Sequence, residues 1–251
     1  MPLRATIESL IRPLRKAAGR FMISPAPSKE TIFYKAAHIT SAEHVKGDYM
    51  EFGVFRGASF VSAFKALQLV YNERARSAFH EADYRADVQK IWNEMRFFAF
   101  DSFQGLPSGR DFDSESKDFF KGQFSCSVEE FLKNLKTQEV DLSKVVTIPG
   151  WFQETCTSET IAQYAIRKAS VIHIDCDLYE STKVVLDFIR PFLVDGTVII
   201  FDDWYCFRGN PNLGEQRAFR EWSTRLPDWT FVEYQKEGPW RNSFIACQNT
   251  Q

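Results

Sequence analysis

The sequence predicts an α/β fold built on an open, mostly parallel sheet, and three stretches carry this prediction. In the first, at 171–204 (VIHIDCDLYESTKVVLDFIRPFLVDGTVIIFDDW), two β-branched runs enclose a helix-period segment, as in two buried parallel strands joined by a helix. In the second, the strand pattern Tyr49–Phe55 precedes a glycine-bearing turn and a helical run to about Leu69. In the third, strand patterns at 229–234 and 243–247 flank a Gly-Pro turn, which predicts an antiparallel finish.

Composition excludes several classes of protein. The chain has 251 residues, enough for one large domain or a domain with additions. A net charge of −2 leaves no electrostatic footprint for nucleic acid or an anionic membrane. Five scattered cysteines without CxxC spacing predict reduced thiols and a cytoplasmic location. No apolar run reaches the ~18–20 residues of a membrane span, and Glu8, Arg12 and Arg15 interrupt any signal-peptide core.

The N-terminal region is predicted to be a helical extension. Residues 1–22 place apolar side chains at helical spacing, with an interruption at Pro13. A helix packed on the protein's own surface is the favoured interpretation; a membrane-surface helix, a dimer arm or a lid are the others. A second helix is expected at 29–45. We therefore predict an extension over 1–45 and the main domain over 46–251.

The remaining elements follow from periodicity. Two further strands are predicted at Arg96–Phe100 and Lys144–Ile148. Helices are predicted at 72–95 (highly charged, hence solvated), 128–135, 158–168 and 215–225. The stretch 108–125 is polar and aperiodic with interspersed phenylalanines, which fits either an active-site lid or a surface insertion. No repeat of 20–50 residues is present, which excludes a solenoid.

The ends of the early strands suggest a nucleotide-type cofactor site. Glu51-x-Gly53-x-x-x-Gly57 lies between a strand and a helix, where small residues let a ligand approach the backbone. It lacks the G-x-G-x-x-G pattern of dinucleotide sites, so incidental glycines are an equal alternative. Asp101 ends the next strand, the position of a ribose ligand or of an Asx-turn. Trp151, just past the third strand, could stack on an adenine or plug the sheet edge.

Acidic residues end the two strands of 171–204. Asp175 follows the first, and Asp202 and Asp203 follow the second. If the strands are neighbours, the carboxylates converge at one edge, as a hard divalent cation such as Mg²⁺ requires. The alternative for Asp202 and Asp203 is a helix cap with an exposed acid. Asp175 is also the first candidate for the catalytic base, whereas His173 is more simply a buried, hydrogen-bonded strand residue.

Six blocks in order, GDYMEFGVFRG, FDSFQGLP, PGWFQET, HIDCDLYEST, VIIFDDW and GPWRNS, resemble the macrocin-type sugar O-methyltransferases, which use S-adenosylmethionine and a divalent metal. The similarity runs from about Gly47 to Ser243. It implies a Rossmann-like class I methyltransferase fold, with a seven-stranded sheet that is parallel except for one strand and has helices on both faces. The resemblance also implies site residues: Glu51 and Gly53 against the methionine and ribose portion of the cofactor, Asp101 on the ribose hydroxyls, Ser102, Gly150 and Trp151 near the adenine, and Asp175, Asp202 and Asp203 as magnesium ligands.

The predicted function is therefore Mg²⁺-dependent methyl transfer from S-adenosylmethionine to a hydroxyl of a sugar or glycoside. A non-sugar diol or phenol acceptor, or a non-catalytic scaffold on the same fold, are the alternatives. Leu178 stands three residues after Asp175, where catechol-type relatives carry a lysine base, which argues against their mechanism. Tyr179 and Trp204 could form a sugar platform or pack in the core. The N-terminal 45 residues and 108–125 resemble the family only loosely and would help to choose the acceptor. We also expect a homo-oligomer.

Overall fold

A seven-stranded sheet organises the chain. The computed structural model of the protein describes residues 29, 31–106 and 122–249. In chain order the strands are β1 (Asp48–Phe52), β2 (Phe97–Asp101), β3 (Val145–Pro149), β4 (Ala169–Ile174), β5 (Thr197–Phe201), β6 (Trp229–Glu237) and β7 (Arg241–Gln248). Their order in the sheet is β3-β2-β1-β4-β5-β7-β6, and β7 alone runs antiparallel to the other six strands. The predicted fold, including its one antiparallel strand, is confirmed.

Helices cover both faces of this sheet. They are α1 (Ile32–Ala42), α2 (Ala58–Arg76), α3 (Ala82–Glu94), α4 (Val128–Thr137), α5 (Phe152–Thr155), α6 (Ser158–Tyr164), α7 (Tyr179–Ile189) and α8 (Gly214–Ser223). Short 3₁₀ turns lie at Leu142–Lys144, Arg190–Phe192 and Phe207–Gly209.

The core has two halves, one on each face of the sheet. Side chains alternate along β2: Phe97 and Ala99 pack with helices α1 to α4, whereas Phe98 and Phe100 pack on the opposite face with α7 and α8. All four are fully buried. Because a central parallel strand is covered on both faces, it is apolar at every position, which is why these strands were readable as continuous apolar runs.

Two elements differ from the predicted ones. The predicted first strand reaches Phe55, but β1 ends at Phe52 because Gly53 turns the chain with φ +89°. The charged stretch predicted to be a solvated helix is divided between the end of α2 and all of α3. Helix α3 buries Val88 and Trp92 against the core, so a minority of apolar positions anchors a helix whose composition is mostly polar.

The predicted N-terminal helix at 1–22 and most of the predicted lid at 108–125 lie outside the described residues. Helix α1 belongs to the extension as we predicted its bounds, and its residues Ile32 and Phe33 are buried in the core. The division into an extension and a main domain stays a prediction. No helix within the described ranges combines the length and the apolar character needed to cross a bilayer.

Candidate active site

A cleft of about 290 Å³ opens at the carboxyl ends of the central strands. The sheet order reverses there, between β1 and β4, which is where open α/β sheets bind ligands. Most of the predicted site residues line it: Gly53, Asp101, Ser102, Trp151, Asp175, Asp202 and Asp203. Glu51 and Gly150 are not among the lining residues.

The glycine turn after β1 forms one wall of the cleft. At Gly53, φ is +89° and a Cβ atom would lie 1.9 Å from the carbonyl oxygen of Asp175, so only glycine fits. The carboxylate of Asp101 holds this turn: its Oδ2 accepts hydrogen bonds from the backbone N–H groups of Val54 (2.7 Å) and Phe55 (3.0 Å). The turn that approaches a ligand is thus fixed by the acid at the end of the neighbouring strand.

Asp101 also forms an Asx-turn, which was the alternative to the ribose role in the sequence analysis. Its Oδ1 accepts a hydrogen bond from the backbone N–H of Phe103, at 2.7 Å. The hydroxyl of Ser102 donates to the carbonyl oxygen of Gly105 (3.0 Å) and accepts from the N–H of Gln104 (3.0 Å). A carboxylate oxygen can accept more than one hydrogen bond, so these contacts leave the ribose role of Asp101 a prediction.

Glu51 is fully buried and does not line the cleft. Its Oε1 accepts a hydrogen bond from the Ser59 hydroxyl at 2.5 Å, and its Oε2 accepts one from the Tyr49 hydroxyl. The Nδ1 atom of His173 lies 3.6 Å from Glu51 Oε1. Glu51 therefore links the start of α2 to β4, and its predicted contact with the cofactor stays a prediction.

The turn after β3 supplies the indole ring of Trp151. The N–H of Gly150 donates to the carbonyl oxygen of Asp101 at 2.9 Å, which ties this turn to the end of β2. At Gly150, φ is +140° and a Cβ would lie 2.8 Å from Thr155 Cγ2. The close fit to α5 requires glycine here and places the next residue, Trp151, in the cleft wall.

The predicted acids meet at the ends of β4 and β5, which are parallel neighbours. Ligand atoms of His173, Asp175 and Asp202 lie within 4.8 Å of one another, and so do those of Asp175, Asp177 and Asp203. Asp175 belongs to both sets. The geometry thus brings Asp175 near each of the other two predicted ligands, but Asp202 and Asp203 belong to different sets, and the set of Asp203 contains Asp177, which the predicted ligand set leaves out.

Asp177 joins the cluster through a tight turn. Strand β4 ends at Ile174, the N–H of Leu178 donates to the carbonyl oxygen of Cys176 at 2.5 Å, and Asp177 adopts φ +58°. A non-glycine residue in this region is uncommon. The Asp-x-Asp spacing was visible in the sequence, but the turn that returns the second acid to the first was not.

Among the described residues, Asp202 is the one aspartate of this cluster that has cationic partners. Its Oδ1 accepts hydrogen bonds from His173 Nε2, at 3.1 Å, and from Arg241 Nε. Burial by itself would raise the pKa of Asp202, but these two partners hold it at about 2. Burial would likewise lower the pKa of His173, whereas the charges of Glu51 and Asp202 raise it to about 9. Asp202 is therefore a carboxylate held between two cations.

The pKa values of the other three aspartates in the cluster are shifted in the opposite direction. Burial, followed by mutual repulsion, raises the pKa of Asp175, Asp177 and Asp203. Glu215 of α8 is also buried here; its Oε2 accepts from the backbone N–H of Asp203 at 3.0 Å, and burial with the neighbouring acids raises its pKa well above the ordinary value. A hard divalent cation would supply the missing countercharge. The residues present therefore fit a Mg²⁺ ion.

Tyr179 and Trp204 pack in the protein rather than in the cleft. The Tyr179 side chain is buried and its hydroxyl donates to Glu221 Oε2 at 2.7 Å. The ring centroid of Trp204 lies 4.9 Å from those of Phe201 and Phe244. Of the two interpretations open for these aromatics, core packing describes their contacts.

Fold and site together define the class. A seven-stranded sheet with one antiparallel strand and a ligand cleft at its switch point is the class I methyltransferase fold. Two solved methyltransferases share it: the O-methyltransferase NovP (TM-score 0.65, 20% identity, covering 86% of this chain and 78% of that one) and the calicheamicin methyltransferase CalS11 (TM-score 0.63, 22% identity, covering 98% and 96%). These identities establish the fold alone.

The sequence establishes the family. The Macrocin-O-methyltransferase (TylF) family model matches residues 31–224, and the chain belongs to this family of O-methyltransferases. The 8-demethyl-8-(2,3-dimethoxy-alpha-L-rhamnosyl)-tetracenomycin-C 4'-O-methyltransferase of Streptomyces olivaceus is 28% identical over 168 residues, which cover 65% of this chain and 55% of the relative. The demethyldecarbamoylnovobiocin O-methyltransferase of Streptomyces niveus is 27% identical over 166 residues, 64% of this chain and 54% of the relative. The chain spans about half the length of these relatives. The predicted family is thus confirmed.

Proposed function

We propose that this protein is a magnesium-dependent O-methyltransferase that transfers a methyl group from S-adenosylmethionine to a hydroxyl of a sugar or glycoside. The observation that carries the proposal is the cluster of Asp175, Asp177, Asp202 and Asp203 beside the cleft. Three of these acids lack a cationic partner among the described residues, and a divalent cation is the group that would pair them.

The acceptor class is inferred from the relatives. One of them carries in its name a rhamnosyl tetracenomycin substrate and the other a novobiocin precursor. We propose a hydroxyl of a sugar on a natural product as the acceptor class. Because the chain spans about half of each relative, we name no particular aglycone. A homo-oligomer and a cytoplasmic location remain predictions.

The chain's own residues would divide the chemistry among them. A divalent cation, when bound, lowers the pKa of a coordinated hydroxyl and orients it. Asp202 is fixed before any ligand arrives, because His173 and Arg241 both hold its Oδ1. Asp175 lines the cleft and belongs to both sets of ligand atoms, so one of its carboxylate oxygens is the proposed acceptor of the hydroxyl proton.

The remaining walls would orient the reactants and exclude water. Phe55, Phe124, Trp151 and Phe152 line the same cleft as the acids. S-adenosylmethionine would supply the methyl group as a sulfonium, and transfer is an in-line displacement that needs the two reacting atoms aligned. The apolar side chains would shield the two reacting atoms from water, and the acids would orient the acceptor hydroxyl.

The test combines binding with turnover. S-adenosylhomocysteine is expected to raise the melting temperature, since a ligand at 100 times its Kd adds about 2.7 kcal/mol to the free energy of unfolding. Methyl transfer to a panel of rhamnosyl glycosides should require Mg²⁺ and stop in EDTA. Asp175→Asn should lower turnover by about 10²- to 10⁴-fold with nearly unchanged S-adenosylhomocysteine affinity. Asp83→Asn, on the exposed side of α3, is the matched control and should change neither.

Three results would contradict the proposal in different ways. Turnover that survives both Asp175→Asn and EDTA would exclude the metal-assisted mechanism. A melting temperature that moves with neither S-adenosylhomocysteine nor Mg²⁺ would favour a non-catalytic scaffold. Transfer to catechol but to no glycoside would select the phenol alternative.

A further inference from the structure

A buried glutamate lies behind the acid cluster and has one oxygen without a partner. Glu215, in the first turn of α8, is 1% exposed. Its Oε2 accepts the backbone N–H of Asp203, but its Oε1 is buried and has no hydrogen-bond partner among the described residues. An unpaired buried carboxylate oxygen lowers the stability of the fold. A bound group that compensates this oxygen would remove the penalty.

Helix α8 holds this side chain rigidly. The helix begins at Gly214, where φ is +52°. The next residue, Glu215, bonds to Asp203, and the side-chain amide of Gln216 donates to the carbonyl oxygen of Trp204 at 2.6 Å. Two consecutive residues of α8 thus clamp the segment that follows β5. Movement of the Glu215 carboxylate would move the backbone that carries Asp203.

The charges around Glu215 show which kind of group is missing. The cationic side chains in contact with the cluster, His173 and Arg241, both bind Asp202. In the part of the chain that the structure describes, no lysine, arginine or histidine forms an ion pair with Asp177, Asp203 or Glu215. The acids that lack a cationic partner therefore lie together on the Asp203 side of the cluster.

We infer that Glu215 is a positioning residue of the cation site: it fixes Asp203 through the backbone and adds the negative charge that a divalent cation needs. It is not itself in either set of converging ligand atoms, so it acts from behind the ligands. This inference rests on the proposed function, because the cation is the one proposed there. Groups that act through a ligand in this way commonly set metal affinity.

The glutamine variant separates charge from shape. In Glu215→Gln, the amide oxygen can still accept the Asp203 N–H, while the amide nitrogen replaces the unpaired Oε1 and the side chain can no longer carry a negative charge. We expect Mn²⁺ affinity, measured by calorimetry on the full chain without cofactor, to fall about 10- to 100-fold. The melting temperature of the metal-free protein should not fall, because glutamine keeps the shape of the side chain and its bond to the Asp203 N–H. A residue with only a structural role would lower the metal-free melting temperature and the Mn²⁺ affinity together, whereas we expect the affinity to fall alone.

Two further variants complete the experiment. Glu215→Asp keeps the charge and should bind Mn²⁺ more tightly than Glu215→Gln. Glu180→Gln makes the same charge change at an exposed position in the first turn of α7 and should leave Mn²⁺ affinity unchanged.

Each outcome is distinct. If the wild-type protein does not bind Mn²⁺, the proposed metal function itself fails. If the wild type binds Mn²⁺ and Glu215→Gln binds it equally well, only the role of Glu215 is overturned. The same holds if Glu215→Gln lowers the metal-free melting temperature without changing affinity, or if Glu215→Asp binds no better than Glu215→Gln.

Discussion

Replacing Gly53 by alanine tests whether the close approach between the glycine turn and Asp175 builds the site. The new Cβ would lie 1.9 Å from the Asp175 carbonyl oxygen and 2.9 Å from its carbonyl carbon. Both are backbone atoms, so no side-chain rotation relieves the overlap. Strands β1 and β4 would have to separate by about 1 Å, a displacement that typically costs a catalytic group about 10²-fold in rate.

The stability cost has two parts. Holding alanine at φ +89° costs about 1–2 kcal/mol. The separation also strains the hydrogen bond from Asp175 N–H to the Phe52 carbonyl oxygen, 2.9 Å long, and a lost hydrogen bond adds about 0.5–1.5 kcal/mol. We therefore expect Gly53→Ala to lower the free energy of unfolding by about 1.5–3.5 kcal/mol, measured by urea denaturation, with turnover and Mn²⁺ affinity followed on the folded fraction.

Gly238→Ala is the matched control. Gly238, in the turn between β6 and β7, has φ +59°, and a Cβ there would have no atom within 4 Å. Gly238→Ala should lower the free energy of unfolding only by the conformational cost of the positive φ, about 1–2 kcal/mol, and should leave turnover unchanged. Equal losses of stability in both variants, with full turnover in Gly53→Ala, would refute the argument that this backbone contact positions Asp175.

Three further predictions concern other contacts. Arg96→Gln should lower the free energy of unfolding by about 3 kcal/mol without changing turnover, because Arg96 Nη2 pairs with buried Asp48 Oδ2 (2.7 Å) away from the cleft; urea denaturation and a turnover assay check this. Trp151→Ala should weaken S-adenosylhomocysteine binding by about 1–3 kcal/mol if the indole stacks on adenine, and unchanged affinity in calorimetry would exclude stacking. In EDTA, the free energy of unfolding should fall as pH rises from 6.5 to about 9. The reason is that the pKa of His173 is 6.5 in the unfolded chain and about 9 in the folded protein, where Glu51 and Asp202 raise it against the effect of burial. Denaturation curves at pH 6 to 9 measure this, and a pH-independent value would contradict it.

The sequence was most informative where local pattern and topology agree. The strands were readable because each buried strand is a short apolar run, and the convergence of Asp175 with Asp202 followed because one helix joins two parallel strands. Both carboxyl ends must then share an edge. That reasoning needs no knowledge of side-chain packing, which is why it predicted the position of the cluster.

The parts that sequence reasoning missed depend on tertiary contacts. Arg241 lies in the block GPWRNS, but it reaches Asp202 across 39 positions through the antiparallel pairing of β7 with β5, and no local pattern shows that contact. Glu215 was assigned to a helix, but its inward direction follows from how α8 packs. Asp177 enters through an uncommon backbone conformation. Each of these residues was visible as a charged side chain, and the fold alone decided that it faces the site.

The asymmetry of the acid cluster suggests an order of events. Asp202 is paired with His173 and Arg241 inside the protein, so it is ionised and fixed without a ligand. Asp175, Asp177 and Asp203 have raised pKa values because burial and repulsion disfavour their charged forms. A cation would therefore bind first to the ionised Asp202 carboxylate. It would then displace protons from the other three aspartates as they coordinate it. Cation binding should accordingly release protons and strengthen as pH rises, and a titration that finds Mn²⁺ affinity independent of pH and of buffer ionisation enthalpy would show that the acids are already ionised.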